Sequence, residues 1–265
     1  MSSGAGKTRE TDVTLFDLTG RRALITGASK GIGYAIAEAL AGAGASVVLN
    51  ARNLDRLEDA KAALAAKAFT VDIAPFDAAD PEAVEAGIAA IEQTLGPIDI
   101  LVNNAGMQHR APLETFPLDA WKRLCATNID SAFLVGQAVA RRMIPRGRGK
   151  IINICSVQSE LARPGIAPYT ATKGALKMLT KGMATDWARH GLQVNAIGPG
   201  YFKTELNAAL VADADFSAWL EKRTPAGRWG EVKELAGAAI FLASDASSFV
   251  NGHVLYVDGG ITSSL

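Results

Sequence analysis

The sequence predicts a doubly wound α/β fold, a parallel sheet covered by helices on both faces. Three observations carry this. Short β-branched runs alternate with longer helical stretches from Arg22 onward. The strand candidates are almost wholly apolar, as strands buried on both faces must be. No repeat, low-complexity linker or composition break divides the 265 residues, so a single domain over 13–265 is expected. The polar segment 1–12 has too little apolar surface to offset its ordering entropy, and is expected to be disordered.

The elements follow in order. Ala23-Leu24-Ile25-Thr26 is a strand, and a helix runs from about Ile32 to Ala43. Ser46 to Asn50 is the second strand, followed by a charged, alanine-rich helix from Asn53 to about Lys67. Thr70 to Pro75 is the third strand. Asp80 and Pro81 then supply an N-cap and an N1 proline for a helix that Gly96 stops. Asp99 to Val102 is strand four, and one long helical stretch reaches from near Leu118 to Ile144, ended by Pro145. Lys150 to Ile154 is strand five. A helix from about Tyr169 to His190 ends at Gly191, and Gln193 to Ile197 is strand six. A helix around Val232 to Ala243 precedes the seventh strand, His253 to Val257. The least regular part, about 200–230, follows the carboxyl end of a strand, where open α/β sheets bind ligands, and reads as a substrate loop.

Composition removes several classes of function. Twenty-seven Lys+Arg balance 27 Asp+Glu and no charge run occurs, so neither nucleic acid nor an anionic membrane surface is an expected partner. Cys125 and Cys155 are too few for a disulfide framework, and His109, His190 and His253 are too scattered for a zinc site, so no metal is expected. No apolar run approaches the ~20 residues that span a bilayer, and the start lacks the apolar core of a signal peptide. A cytoplasmic protein is expected.

The first strand leads into Thr26-Gly27-Ala28-Ser29-Lys30-Gly31-Ile32-Gly33 and then a helix. Glycines at this junction let backbone approach a pyrophosphate, and the helix N-terminus offers free N–H groups. The strand-turn-helix context makes it a Rossmann-type nucleotide site, although its spacing is G-x-x-x-G-x-G. At the end of strand two, where an acid would hold a ribose 2′-hydroxyl, the chain has Asn50-Ala51-Arg52. Arg52 can fork onto a 2′-phosphate and Lys30 can add a second charge, so NADP is expected in preference to NAD.

A second constellation is Ser156, Tyr169 and Lys173. The last two are four apart on one helix face, where an ammonium beside a phenol favours the phenolate. Such a tyrosine can take the proton from an alcohol as hydride leaves, while Ser156 hydrogen-bonds the same oxygen.

Gly27 to Gly33, Asn103-Asn104-Ala105-Gly106, Ser156, Tyr169 to Lys173 and Pro199-Gly200 together resemble the short-chain dehydrogenase/reductase family, over about Leu18 to Gly260. The resemblance implies catalysis by Asn128, Ser156, Tyr169 and Lys173, with Asn128 holding a water in a proton relay to Lys173. It implies that Gly27, Ser29, Lys30, Gly31, Ile32 and Gly33 hold the cofactor at the first turn. Asp77 and Ala78 would contact the adenine, and Asn103, Ala105 and Gly106 would line the cofactor after strand four. Tyr169 and Lys173 would also face the nicotinamide ribose, and Pro199, Gly200, Phe202 and Thr204 would cover the carboxamide. Homotetramers are usual in the family, and Val257-Asp258-Gly259-Gly260 resembles its subunit-contact end.

A finer resemblance lies in Asn103 to Arg110, Ile154 to Leu161, Pro199 to Glu205 and Ala218 to Gly230. It is to the branch of the family that interconverts D-gluconate and 5-keto-D-gluconate. That branch often has two arginines where this chain has His109-Arg110. A small polar sugar acid suits the loops facing the nicotinamide, which carry Gln108, His109, Arg110, Gln158, Glu160, Arg163 and Lys203. The expected substrate contacts are Arg110 for the carboxylate, Gln158 for a hydroxyl, and Ser156 and Tyr169 at the reacting oxygen. Trp219 and Trp229 read as packing, and Cys155 as strand filler. A 3-oxoacyl-carrier-protein reductase is the alternative enzyme, but would need a basic surface that the sequence does not offer. A non-catalytic NADP-binding redox sensor is the non-enzyme alternative, and would have no need of Tyr169 and Lys173.

Overall fold

In the computed structural model residues 14–265 are described, so the expectation of disorder over 1–12 lies outside the described residues. The chain runs through β1 (Arg22–Thr26), α1 (Gly31–Gly42), β2 (Ser46–Ala51), α2 (Leu54–Ala65), β3 (Val71–Pro75) and α3 (Pro81–Thr94). It continues through β4 (Ile100–Asn103), α4 (Leu118–Cys125), α5 (Ser131–Met143), β5 (Gly149–Ile154), α6 (Ala167–Trp187) and β6 (Leu192–Pro199). The last elements are α7 (Ala208–Val211), α8 (Ala214–Arg223), α9 (Ala236–Ala243) and β7 (Val254–Val257).

All seven strands pair in parallel in the order β3-β2-β1-β4-β5-β6-β7. The direction of winding reverses between β1 and β4, and their carboxyl ends open the crevice in which such sheets bind ligands. Alternation along the strands separates two cores. Leu24, Leu101 and Ile151 face Ile88 of α3 and Val135 of α5. Ile25, Val102 and Ile152 face the opposite layer, with Ile36 and Leu40 of α1, Leu57 and Leu64 of α2 and Leu242 of α9. Each such side chain, fully removed from water, contributes ~1.5–3 kcal/mol to the fold.

Local chemistry sets the helix ends where the sequence leads one to look. Asp80 accepts hydrogen bonds from the Glu82 and Ala83 N–H groups at 2.9 and 3.1 Å with Pro81 behind it, and Asn53 caps α2 through the Arg56 N–H at 2.8 Å. A cap of this kind is worth about 1 kcal/mol. Gly96, at φ +98°, stops the chain after α3 in a backbone conformation that L side chains resist.

Two expectations need correction. The long helix from Leu118 to Ile144 is not one helix: between α4 and α5 the chain widens into a π turn, Ala126–Asp130, where the Ser131 N–H donates to the Ala126 carbonyl. Hydrophobic spacing hardly registers one inserted residue, and π turns of this kind frequently occur at functional sites. The segment 200–230 is also more regular than expected, since it holds α7 and α8, the latter capped by Asp213 on the Phe216 N–H at 3.0 Å. No helix among the described residues is long and apolar enough to cross a membrane.

Candidate active site

The floor of the site is built where β1 and β4 end. Thr26 Oγ1 accepts from the Asn104 and Ala105 N–H groups, both at 3.0 Å, while Asn104 Nδ2 donates to the carbonyls of Thr26 and Gly27 at 2.9 and 3.0 Å. These bonds bring backbone so close that a Cβ on Gly33 would lie 2.4 Å from Asn104 Nδ2 and 2.6 Å from the Gly27 oxygen. Gly27 itself has φ +63°. No side chain caps the first turn of α1 at Lys30, so its leading N–H groups are left for an anion. The turn therefore fits a nucleotide pyrophosphate.

Asn104, rather than Asn103, lines the cleft after β4. The Asn103 side chain is buried beneath it and donates to Asn153 Oδ1 at 2.9 Å and the Ala132 carbonyl at 3.3 Å. Both asparagines were visible in the sequence; which of them points into the crevice depends on where the strand ends. At the far end of the crevice Arg52 stands 3.6 Å from Asp77, both largely exposed. Ala78 turns its methyl group into the core, so any contact it makes with a ligand is through backbone. Ser29 and Ala105 lie on the two turns but outside the lining of the cleft. Lys30 forms an ion pair with Glu205 across the cleft mouth, joining the first turn to the segment after β6.

The cleft encloses about 550 Å³ and runs from Gly27, Gly31 and Ile32 past Gly106 to Ser156, Tyr169 and Lys173, with Pro199, Gly200, Phe202 and Thr204 on the opposite side. Ser156 follows β5, is 8% exposed, and caps the turn Val157–Ser159 through the Gln158 N–H at 3.1 Å. Tyr169 and Lys173 project from the same face of α6. Lys173 Nζ donates to the Ile154 carbonyl at 2.7 Å and lies 5.7 Å from the centre of the Tyr169 ring. The π turn carries Asn128 inward. Its Oδ1 accepts from the Met107 N–H at 2.8 Å, and its Nδ2 donates to the Met107 carbonyl and to Thr172 Oγ1, each at 3.0 Å. Thr172 Oγ1 in turn donates to the Tyr169 carbonyl at 2.8 Å, so Asn128 ties the turn after β4 to the helix of the tyrosine.

The electrostatics differ from the simplest expectation. Burial pushes the Tyr169 phenol up to about 12, against the opposing pulls of the Ser156 hydroxyl and the Arg110 guanidinium. Burial also pushes the Lys173 ammonium down. The tyrosine in this cleft is thus an acid held protonated: desolvation of a buried phenolate dominates, and the lowering expected from Lys173 is not among the influences on it. Phenol, hydroxyl and ammonium around one cleft can still exchange a proton with an alcohol or ketone oxygen. Cys155 is buried with its thiol pushed up by desolvation, as inert strand filler should be.

Tyr201 lines the substrate end, and its ring forms a cluster with those of Phe216 and Trp229, centres 5.7 to 6.1 Å apart. Trp229 is buried and donates to Ser217 Oγ at 3.2 Å, whereas Trp219 stays half exposed against Phe216. Gln158 lines this end, as expected. Arg110 lies just outside the lining, partly desolvated and close enough for its charge to act on Tyr169 and Tyr201, while Arg163 is within it. His109 packs edge-on against Phe116, 5.2 Å between ring centres. Thr26, Asn104, Thr172 and Tyr201 were not singled out from the sequence. Each nevertheless lies within or directly beside one of the stretches that carry the family resemblance, Asn104 in Asn-Asn-Ala-Gly and Thr172 between Tyr169 and Lys173.

A nucleotide turn at the sheet's switch point, joined to a Ser–Tyr–Lys wall, defines an oxidoreductase of the dinucleotide-binding class. The family model described as "Enoyl-(Acyl carrier protein) reductase" matches residues 27–262, and the chain belongs to the short-chain dehydrogenase/reductase family. Within that family the chain is 65% identical to the gluconate 5-dehydrogenase of Gluconobacter oxydans (strain 621H), over 95% of this chain and 98% of the relative. It is 52% identical to the 5-keto-D-gluconate 5-reductase of Escherichia coli (strain K12), over 93% and 97%. The crystal structure of a gluconate 5-dehydrogenase from Burkholderia cenocepacia J2315, in complex with NADP and tartrate, superposes with a TM-score of 0.93 at 61% identity, covering 95% of this chain and 98% of that one.

Proposed function

We propose that the protein interconverts D-gluconate and 5-keto-D-gluconate, with NADP(H) as its redox partner. The observation that carries this reading is the single cleft in which the nucleotide turn, the Ser156–Tyr169–Lys173 wall and a polar end with Gln158 and Arg163 are continuous. The similarity to the two sugar-acid enzymes supports the same choice of substrate. A polar end with a guanidinium suits a carboxylated polyol better than an acyl chain.

In reduction, Tyr169 gives its proton to the ketone oxygen at C5, and Ser156 donates a hydrogen bond to the same oxygen. In oxidation both roles reverse, and Tyr169 must first give up its proton to act as base. NADP(H), when bound, accepts or supplies the hydride. Gly27 to Gly33 would cradle its pyrophosphate. Lys173 would hold the nicotinamide ribose and Asn128 the proton relay beside it, while Pro199, Gly200, Phe202 and Thr204 would close over the carboxamide. Asp77 and the backbone at Ala78 would meet the adenine.

Arg52 would read the 2′-phosphate, and its loose, exposed pairing with Asp77 leaves the fork available for that purpose. Arg52→Ala is accordingly expected to weaken NADPH about 10- to 100-fold while NADH changes little, as the loss of a charge-assisted bond requires. Fluorescence titration with both cofactors checks this, and an equal loss for both would remove Arg52 from the role.

The proposal places the protein in the cytoplasm as a homotetramer with one catalytic domain over 13–265. Trp121, Phe133 and Met178, exposed on α4, α5 and α6, offer apolar surface for subunits to cover. Light scattering tests the assembly. The reaction is tested by following NADPH consumption with 5-keto-D-gluconate beside an acetoacetyl thioester, and with NADH in parallel. Fast turnover of the keto acid with NADPH is expected. Turnover of the thioester alone would overturn the substrate while leaving the family chemistry intact.

A further inference from the structure

A second pocket, of about 380 Å³, opens at the amino ends of β1, β4, β5 and β6, on the opposite edge of the sheet from the catalytic cleft. Its wall includes Arg21, Asp99, Arg148, Lys150 and Asp245, and no residue of its lining also lines the cleft. The buried side chain of this wall is Lys150, which is 5% exposed.

Both carboxylates on the wall are held by other donors. Asp245 pairs with Arg21 at 2.6 Å, while Asp99 accepts from the Arg22 N–H at 3.1 Å and from Arg148 at 3.3 Å. Among the described residues the Lys150 ammonium donates to Ser247 Oγ alone, at 3.2 Å, so two of its three N–H groups have no partner there. Burial brings this ammonium down to about 8, with Asp245 favouring its charge and Arg21 opposing it. A buried ammonium without a counter-ion is costly, and an anion that joins it relieves the cost.

The wall also indicates which anion. Arg21, Arg148 and Lys150 stand against Asp99 and Asp245, an excess of one positive charge. A lysine ammonium is a compact point charge and a recurrent partner of phosphate oxygens. Arg148 meets Asp99 through one nitrogen and its side chain is 72% exposed, so most of its fork is open to a ligand. We propose that this pocket is an anion site separate from the catalytic cleft, in which Lys150 and Arg148 hold phosphate or the phosphate group of a small metabolite. Asp99 and Asp245 stay with their arginines, and the anion takes the ammonium that they leave over. Its binding neutralises a buried charge and so stabilises the fold without entering the cleft.

The test uses the whole protein saturated with NADP, which fills the nucleotide turn, and inorganic phosphate as the probe. At ten times its dissociation constant, phosphate should raise Tm by about 2–5 °C. Lys150→Met should lose this shift and bind phosphate at least about tenfold more weakly, with kcat and NADPH affinity unchanged. Its Tm without phosphate should equal or exceed the parent's, because the buried charge is gone. Arg148→Met, a change of an exposed side chain, should weaken phosphate about 3- to 10-fold, and decides the matter if Lys150→Met does not fold. Sulfate, whose charge is constant with pH, should bind about tenfold more weakly at pH 9 than at pH 7 as the ammonium loses its proton. The other charged groups facing the ammonium are Arg21, Asp99, Arg148 and Asp245, side chains of types that do not ordinarily titrate in that interval. Glycerol phosphate distinguishes the sources: tighter binding than phosphate makes a phosphorylated metabolite the ligand, and weaker binding makes it the free ion. Phosphate binding that survives both substitutions, or that Arg52→Ala or Arg163→Met removes instead, puts the ion in the cleft and overturns the proposal. Absence of phosphate binding at millimolar concentration overturns it equally.

Discussion

Tyr169→Phe is expected to lower kcat for both directions by about a thousandfold or more, the scale of losing a positioned general acid–base. NADPH binding should stay within a few-fold, because the phenylalanine ring keeps the shape of the wall and only the hydroxyl is lost. The neighbours argue for so large an effect. Ser156 offers only a weakly acidic hydroxyl, and Lys173 is tied to the Ile154 carbonyl behind the tyrosine ring, so neither replaces the phenol as acid–base. Steady-state rates beside a cofactor titration separate chemistry from binding. Retained turnover would show that the proton travels by another route.

The second large effect is an asymmetry in pH dependence. Burial holds the Tyr169 phenol up to about 12, against an ordinary value of 10.0. Reduction uses the protonated form, which is then fully populated across the physiological range. With NADPH saturating, kcat/KM for the keto acid should be flat from about pH 6 to 9. Oxidation uses the phenolate, whose population rises about tenfold with each pH unit over the same interval, so the oxidative rate should climb by about a thousandfold. The sign follows from burial favouring the neutral form. The same raised value means that folding stability from this group is complete below about pH 10 and is lost as the pH rises through about 12. Rate profiles in both directions check this, and a reductive limb that falls near neutrality would contradict it.

Much of this was legible in the chain before any coordinates. The strands were, because burial on both faces makes Ala23 to Ile25 or Ile100 to Val102 apolar without interruption. So were Ser156, Tyr169 and Lys173, because four-residue spacing on a helix fixes a shared face. What could not be read depends on direction rather than identity. Asn103 and Asn104 differ only in which side of the β4 terminus they occupy. The π turn at Asn128 displaces a single residue within an amphipathic pattern that tolerates the shift. The helix α8 capped by Asp213 went unread because Phe216 and Leu220 make too narrow an apolar stripe to announce it. Arg163 stood among other polar loop residues, and only its stacking on Phe216 and its place in the cleft lining single it out.

The Asn104 side chain joins groups 77 and 78 positions apart in the chain, one from each half of the sheet. The nucleotide turn therefore takes its final shape only after β1 and β4 have docked. A partly folded intermediate with either half alone has no floor on which to hold a dinucleotide. The cofactor is thus a selective ligand of the completed fold, and by mass action its concentration adds to the stability of that fold.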